Sequence, residues 1–344
     1  MITKTERANQ EKLRLNKPYV YEKMMKFPAL TQAGKSIAII QLQYNYACNF
    51  KCQHCSIHNI QQQGIRYKKP RLTIPDIKEL SRQADALGLA RFEINGGEPL
   101  INKDFDELVQ AIDPAKFYIN CVTNAWYLSA RAHHLQRIGI DRIQVGLDSL
   151  DASAHDQFRH KSGAHARCLA GIDRCLEIGL EVFVTTVVTK QRLYDPELIE
   201  FIKFFNNKGV GVFMTYAKPV GSWENHFDIL LNREDLKFAE KLEAQYNTWS
   251  HLTPGYGRDR GCLAVQNLIA ITPYGDVLPC QYIFIGLGNI LKESLENILD
   301  RGMQLSQFRT DICPIANDRN FIDTYIVDRV YGQALPVPYE KVFK

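Results

Sequence analysis

Polar and apolar positions follow two rhythms that take turns along the chain. Residues 36–46, 90–95, 116–122, 142–147, 181–188 and 210–216 read as strands, and 74–87, 103–112, 129–138, 163–178 and 196–207 as helices. Thr73 offers an N-cap to the first helix and Pro75 sits in its first turn. Gly88, Gly139 and Gly179 stop three of the helices, because glycine takes left-handed backbone at little cost. Six strands with five helices between them predict an α/β fold, a parallel sheet with helices outside. Six units are fewer than the eight of a closed barrel.

Strands buried on both faces of a parallel barrel should be nearly continuous apolar runs. These alternate instead. Gln41, Gln43 and Asn45 alternate with Ile40, Leu42 and Tyr44, Glu93 and Asn95 with Phe92 and Ile94, Asn120 with Ile119 and Cys121, and Gln144 with Ile143 and Val145. Successive side chains on a strand point to opposite faces, so the apolar set meets the helices and the polar set lines the interior. Buried amides need partners. Either they bond one another, or they line a wet lumen that binds a polar substrate. We take the second, with Gln43, Asn45, Asn95 and Asn120 as substrate contacts. Glu93, the acid on the polar face of the first three strands, is the candidate catalytic residue, orienting substrate or exchanging a proton with it.

Past residue 216 the alternation stops. A loop over 217–221, a helix over 234–249, a hairpin over 268–278 turning at 273–276, and a short helix over 294–301 are expected. Three parts follow: a helical lead-in (1–35), the strand–helix region (36–220) and a second module with its tail (221–344).

Composition excludes some classes. Hydrophobic residues make up 45% of 344, ample for a core. A net charge of +4 does not indicate nucleic acid or an anionic membrane as partner. No apolar run is long enough to span a membrane, and residues 1–17 lack the apolar stretch of a signal peptide. Nine cysteines without an export signal suit a reducing cytoplasm, where thiolates are free for metal.

Three of those cysteines, Cys48, Cys52 and Cys55, form a Cys-x3-Cys-x2-Cys pattern right after the first strand. Three thiolates on a short loop can hold three irons of a cubane cluster and leave the fourth iron open. The competing reading is zinc, whose structural sites close with four ligands. No fourth ligand stands at conventional spacing, since His54 lies between the cysteines and His58 three residues beyond.

This spacing, with His54 at the aromatic-type position before the third cysteine, resembles the radical S-adenosylmethionine (SAM) enzymes. Asn95-Gly96-Gly97-Glu98-Pro99 looks like their Gly-Gly-Glu-Pro motif. Thr123-Asn124-Ala125 stands where many relatives have Thr-Asn-Gly, and Val145-Gly146-Leu147-Asp148 where they have Ser-Leu-Asp, with Gly146 in place of the serine. His155-Asp156-Gln157-Phe158-Arg159 is similar to a His-Asp-x-x-Arg run of the same enzymes. The resemblance implies a partial (β/α)6 TIM-type barrel. It implies a SAM-binding 4Fe–4S cluster on Cys48, Cys52 and Cys55, and SAM held by His54, Gly96, Gly97, Glu98 and Asn124. Arg159 would meet SAM's carboxylate bidentately, Asp148 or Ser149 its ribose, and Val187 its adenine.

Cys262, Gly275 and Cys280 resemble the Cys…Gly-x4-Cys start of the SPASM/Twitch auxiliary-cluster region, and Cys313 returns to join them. The long SPASM run with four further cysteines is absent, so one auxiliary 4Fe–4S cluster on three cysteines is implied, with an iron left for substrate, water, Asp311 or Asp318. Cys121, Cys168 and Cys175 read as core thiols. The implied chemistry is reductive cleavage of SAM to a 5′-deoxyadenosyl radical, which abstracts hydrogen from substrate, with a flavodoxin- or ferredoxin-type electron donor. A small polar metabolite (nucleotide, sugar or natural-product precursor) is the expected substrate. The lead-in is too short for a separate leader-peptide recognition domain. The alternative is a peptide- or protein-modifying maturase.

Overall fold

The computed structural model describes residues 4–67, 70–255 and 258–343. The six expected strands are β1 (Ile39–Asn45), β2 (Arg91–Gly96), β3 (Tyr118–Thr123), β4 (Arg142–Gly146), β5 (Glu181–Val188) and β6 (Gly211–Tyr216). The five expected helices are present as Ile74–Ala86, Phe105–Ile112, Leu128–Ile138, Ala164–Glu177 and Pro196–Asn207. Thr73 and Asp76 form a capping box at the first of them. All six strands pair in parallel in sequence order, the wall of a partial barrel. Ile40, Leu42, Phe92, Ile94, Ile119, Cys121, Ile143 and Val145 are buried in one continuous core against the helices, as the alternation requires.

Register puts Gln41 beside Glu93, Glu93 beside Asn120, Asn120 beside Arg142 and Arg142 beside Glu181. Paired residues of parallel strands share a face, so these side chains form one polar rung across the lumen.

The wall extends beyond the six strands at both edges. β7 (Thr248–Ser250) adds in parallel to β6. The helix expected over 234–249 is Arg233–Gln245; Thr248 and Trp249, a β-branched and an aromatic residue, suit a strand better. Thr248 Oγ1 donates to Val212 O at 2.8 Å, fastening β7. On the other edge, β8 (Leu268–Ile271) pairs in parallel with β1 and turns back antiparallel into β9 (Asp276–Leu278). β10 (Ile285–Gly286) pairs separately with β12 (Val337–Pro338), while β11 (Gly288–Asn289) joins β9. The result is one sheet of ten strands, ordered β11-β9-β8-β1-β2-β3-β4-β5-β6-β7. The second module therefore shares hydrogen bonds with the first strand of the barrel.

The lead-in folds as Lys4–Asn16, Pro18–Met25 and Phe27–Gln32. Its lysines grip the N-terminal ends of the strands. Lys12 Nζ donates to Gly179 O (2.9 Å) before β5, Lys17 to Asp141 (2.6 Å) before β4, and buried Lys23 to Leu89 O (2.7 Å) and Asp85 (3.0 Å) before β2. The lead-in covers one end of the barrel, and the loops at the other end are left for chemistry.

Ile269 is fully buried on β8 and pairs with Ile40 of β1. Ile269→Ala is expected to cost about 2–5 kcal/mol in chemical denaturation. Tryptophan fluorescence and far-UV circular dichroism should report one coincident transition. A separate, early transition of the second module would contradict the shared sheet.

Candidate active site

β1 runs directly into the first cysteine loop. Asn45 Oδ1 accepts from Ala47 N (2.6 Å) and its amide meets Asn102. Gly96 and Gly97 at the end of β2 lie under this loop, with Gly97 N donating to Asn45 O (2.9 Å) and Glu98 N to Ala47 O (2.8 Å). A Cβ on Gly97 would lie 2.0 Å from Ala47 O, and one on Gly96 2.4 Å from Asn45 O. Only glycine fits either position. Cys48, Cys52 and Cys55 line a cavity of about 1550 Å³ at the strands' C-terminal mouth and down the lumen. Burial pushes all three thiols above their ordinary value, so ionising them requires a cation at the site. His54 stacks on Phe158 (ring centroids 4.7 Å apart, planes at 11°), burial lowers its pKa to about 3, and its buried Nδ1 has no partner.

Glu98 is buried and accepts from Thr123 Oγ1 (2.6 Å), Asn124 N (2.7 Å) and Leu100 N (3.1 Å). Burial raises its pKa to about 7 against those donors. Asn124 donates to Asn49 Oδ1 at 2.8 Å and lines the cavity. Ala125, where relatives have glycine, takes φ +61°, a left-handed backbone that favours glycine.

Arg159 and Asp148 are both buried and already paired. Arg159 Nε and Nη2 each lie 2.7 Å from Asp148 Oδ2, and Asp148 Oδ1 accepts from Val187 N (2.9 Å). Burial works against Asp148, but the guanidinium holds its carboxyl below the usual range. Arg159 lines the cavity beside Cys52 and Val187, and Asp148 is not among the lining residues. Ser149 Oγ donates to Glu197 Oε1 (3.1 Å) and accepts from Asp151 N (3.0 Å), and it is also off the cavity.

The lumen face is mixed. Glu93 accepts from Gln41 Nε2 (2.9 Å), Asn120 Nδ2 (3.1 Å) and Asn95 Nδ2 (3.3 Å), while Asn95 also donates to Gln281 (3.0 Å) and Asn120 to Gln144 (3.3 Å). Gln41, Glu93, Asn95 and Gln144 line the cavity. Gln43, Asn45 and Asn120 do not: Gln43 accepts from Tyr46 OH (2.9 Å), Asn45 is spent on the cysteine loop, and Asn120 lies behind Glu93. With their N–H groups on Glu93, the amides leave Gln41 Oε1, Asn95 Oδ1 and Asn120 Oδ1 buried without a donor.

Cys262, Cys280 and Cys313 line the same cavity. Burial pushes Cys280 up to about 12 and raises the other two as well. All nine cysteines are free thiols. Among the described residues no group of three His, Cys, Asp or Glu closes around a single ion as zinc requires. Three soft thiols to a set, spread around one cavity, suit a cubane that places each thiolate on its own iron. Asp311 is exposed and paired with Arg233 (2.7 Å), and Asp318 caps a helix at Phe321 N (3.1 Å), so neither reaches the cavity as a fourth ligand. Among the lining residues the sequence did not single out are Gln281, Tyr282 and buried Lys218. Lys218 stands two residues past β6, where barrel enzymes keep their chemistry, and that position was its one signal.

A family profile described as the radical SAM superfamily matches residues 42–217, just over half of the chain. The chain belongs to the radical SAM superfamily. A second profile, an iron–sulfur cluster-binding domain of SPASM type, matches residues 262–321. The first match implies a 4Fe–4S cluster and SAM as cofactors, and the second a further iron–sulfur cluster in the C-terminal region. Relatives include a probable GTP 3′,8-cyclase of Methanocella arvoryzae (29% identical over 51% of this chain and 55% of its own) and a GTP 3′,8-cyclase of Marinobacter nauticus (30%; 56% and 58%). The chain thus spans little more than half the length of these relatives. A probable GTP 3′,8-cyclase of Saccharolobus solfataricus is 27% identical over 78% of this chain and 86% of its own. The crystal structure of Streptococcus suis SuiB bound to precursor peptide SuiA shares the fold (TM-score 0.61, 17% identity, 84% of this chain and 70% of that one). So does native anSMEcpe with bound AdoMet and Cp18Cys peptide (0.58, 15%, 79% and 81%). Among the described residues no helix is long and apolar enough to cross a membrane.

Within this radical SAM enzyme the departure at Gly146 has a steric cause. A Cβ there would lie 2.8 Å and 2.9 Å from the Arg159 guanidinium nitrogens. Gly146→Ser, which restores the relatives' residue, is therefore expected to cost about 1–3 kcal/mol of stability by overpacking. It should also weaken SAM binding, measured by equilibrium dialysis on the reconstituted protein. Unchanged stability and affinity would mean that Arg159 moves aside freely.

Glu98 gives a pH signature. Its pKa in the fold, about 7, lies above the ordinary carboxylate value of 4.5. Its contribution to stability is then fully present below the ordinary value and is lost as pH rises through about 7. Denaturation of the metal-free protein should show this fall, and Glu98→Gln should flatten it. An equal slope in both proteins would contradict the raised pKa.

Proposed function

We propose that the enzyme acts on a small, polar metabolite rich in N–H and O–H donors, of nucleotide or sugar class, held in the lumen between the two cysteine sets. One observation carries this reading. The wall at Glu93 offers a carboxylate and, on the cavity-lining residues Gln41 and Asn95, two buried carbonyl oxygens without donors. Each unmet buried acceptor costs about 1–3 kcal/mol. A ligand that brings hydroxyl or amino hydrogens removes that cost, and apolar ligands cannot. The cavity of about 1550 Å³ exceeds the roughly 300–1,000 Å³ of a single small-molecule site, leaving room for SAM and a second molecule. Relatives named GTP 3′,8-cyclase, a name that specifies a nucleotide, support the same class.

In this reading Cys48, Cys52 and Cys55 hold the SAM-binding cluster, which when bound supplies radical hydrogen abstraction. Gly96, Gly97 and Glu98 receive SAM's amino group, and buried Glu98 gains the cation it lacks. Arg159 keeps its Nη1 edge for the carboxylate, since Nε and Nη2 are spent on Asp148. Val187 flanks the adenine, and Asn124 and His54 complete the wall. Asp148 serves SAM through Arg159 and the Val187 backbone. Glu93 orients the substrate and exchanges a proton with it. A flavodoxin- or ferredoxin-type donor delivers electrons at the exposed edge of Cys48, in a reducing cytoplasm.

The test is 5′-deoxyadenosine yield under dithionite with a panel of nucleotides, nucleotide sugars and short peptides. A nucleotide or sugar should raise the yield above the substrate-free level. Glu93→Gln should leave the substrate-free yield unchanged and lower the stimulated turnover at least about tenfold, equivalent to about 1.4 kcal/mol of barrier. Stimulation by peptides alone would replace the metabolite by the maturase alternative. Full turnover by Glu93→Gln would remove Glu93 from the chemistry.

A further inference from the structure

Lys218 is a buried lysine without a carboxylate partner among the described residues. It is 5% exposed and lines the cavity. Its Nζ donates to Tyr216 O at 2.5 Å and lies 4.2 Å from the centre of the Tyr282 ring. Tyr282 is two residues past Cys280. Among the described residues no Asp or Glu pairs with Lys218; burial lowers its pKa, and the groups whose negative charge, once ionised, would hold it up are Cys313 and Cys280. A buried charge needs a partner of opposite sign, and a carbonyl and an aromatic face only soften that need.

The first cysteine set has different surroundings. Carboxylate Glu98 bears on Cys48, and the guanidinium beside Cys52 already belongs to Asp148. Among the described residues, the cation that acts on the first set, Arg159, is neutralised by a carboxylate, and the one at the second set is not.

We infer that Lys218 is the counter-charge of the Cys280 and Cys313 thiolates within the Cys262, Cys280 and Cys313 set, a positioning residue that sets how readily the iron–sulfur group of this region takes an electron. The inference rests on assigning these three thiols as its ligands. One-electron reduction adds one negative charge, makes and breaks no bond, and draws its electron from an external donor. A fixed cation in a low-dielectric wall stabilises the more negative form and raises the potential. The auxiliary set should therefore be the easier of the two to reduce.

The experiment is a redox titration of the reconstituted full-length protein, without SAM or substrate, followed by electron paramagnetic resonance. The Cys48→Ala/Cys52→Ala/Cys55→Ala variant assigns the auxiliary signal. Lys218→Met should lower the reduction equilibrium constant of that signal at least about tenfold, which is about 59 mV for one electron. Lys218→Arg should stay near the wild type, and the first-set signal should not move in either. An unmoved auxiliary potential in a fully loaded Lys218→Met protein overturns the inference and assigns the ammonium to the substrate instead. If Lys218→Met fails to load, iron analysis decides. Loading by Lys218→Arg, with failure of both Lys218→Met and Lys218→Gln, upholds the need for charge, whereas equal failure of all three overturns it. A wild-type protein that holds iron only at the first set overturns the ligand assignment itself, a separate outcome.

Discussion

Everything in the site depends on one loop held by backbone contact on three sides. Its start rests on Gly97, where no Cβ has room. In its middle Gln53 N donates to Phe158 O at 3.0 Å. At its end Ser222 N donates to Cys55 O at 2.9 Å, and Gly221 comes so close (φ +62°) that a Cβ would lie 2.2 Å from that same oxygen. These contacts come from the end of β2, the helix Ala152–Arg159 and the single turn Gly221–Trp223 that follows β6. The three thiols are thus positioned by distant parts of the barrel, and the loop's own side chains are left free for chemistry. Displacing the loop would also displace Glu98, whose N–H is fixed on Ala47 O.

Buried charge follows the same economy of position. Arg159 sits in the last turn of its helix, a favourable place for a cation, and reaches back to Asp148 just past β4. His155 Nδ1 accepts from Asp148 N (3.2 Å), and Asp156 receives Gly163 N (2.5 Å) and His165 N (2.9 Å). The run from His155 to Arg159 is therefore knitted into the protein before any ligand arrives. Removing one member of the buried pair would leave the other unpaired, at about 3–5 kcal/mol. Loss of activity on mutating Arg159 would thus mix two effects, and stability must be measured beside binding.

The six strands and their two faces were legible because a period of two survives in Gln41–Asn45, Glu93–Asn95 and Asn120 whatever the tertiary partners are. The cysteine loop and Gly96-Gly97 were legible because their chemistry is local in sequence. What failed was pairing. Which amide meets Glu93 depends on strand register, and the union of β8 with β1 joins segments far apart in the chain. β7 was lost in a helix because three residues are too few to set a rhythm. The identity of Ser149's partner, Glu197, lies on another helix altogether. Gly146 shows both sides: the sequence displays the missing serine, and only the packing displays the guanidinium that fills its space.

β2 ties these features into one mechanism of assembly. Its end carries the glycines beneath the first cysteine loop, and Asn95, next but one before Gly97, reaches Gln281 beside Cys280. Glu93 lies one further step inward, and its carboxylate bears on Tyr282. A single extended segment therefore touches both cysteine sets and the polar hub between them. A strand has little freedom to shorten or lengthen, so the spacing between the sets is fixed by the fold and not by their loops. In the proposed reading, a substrate that satisfies the acceptors around Glu93 would be held between the two sets by the same strand that carries Gly96 and Gly97. Recognition and chemistry would then share one rigid element.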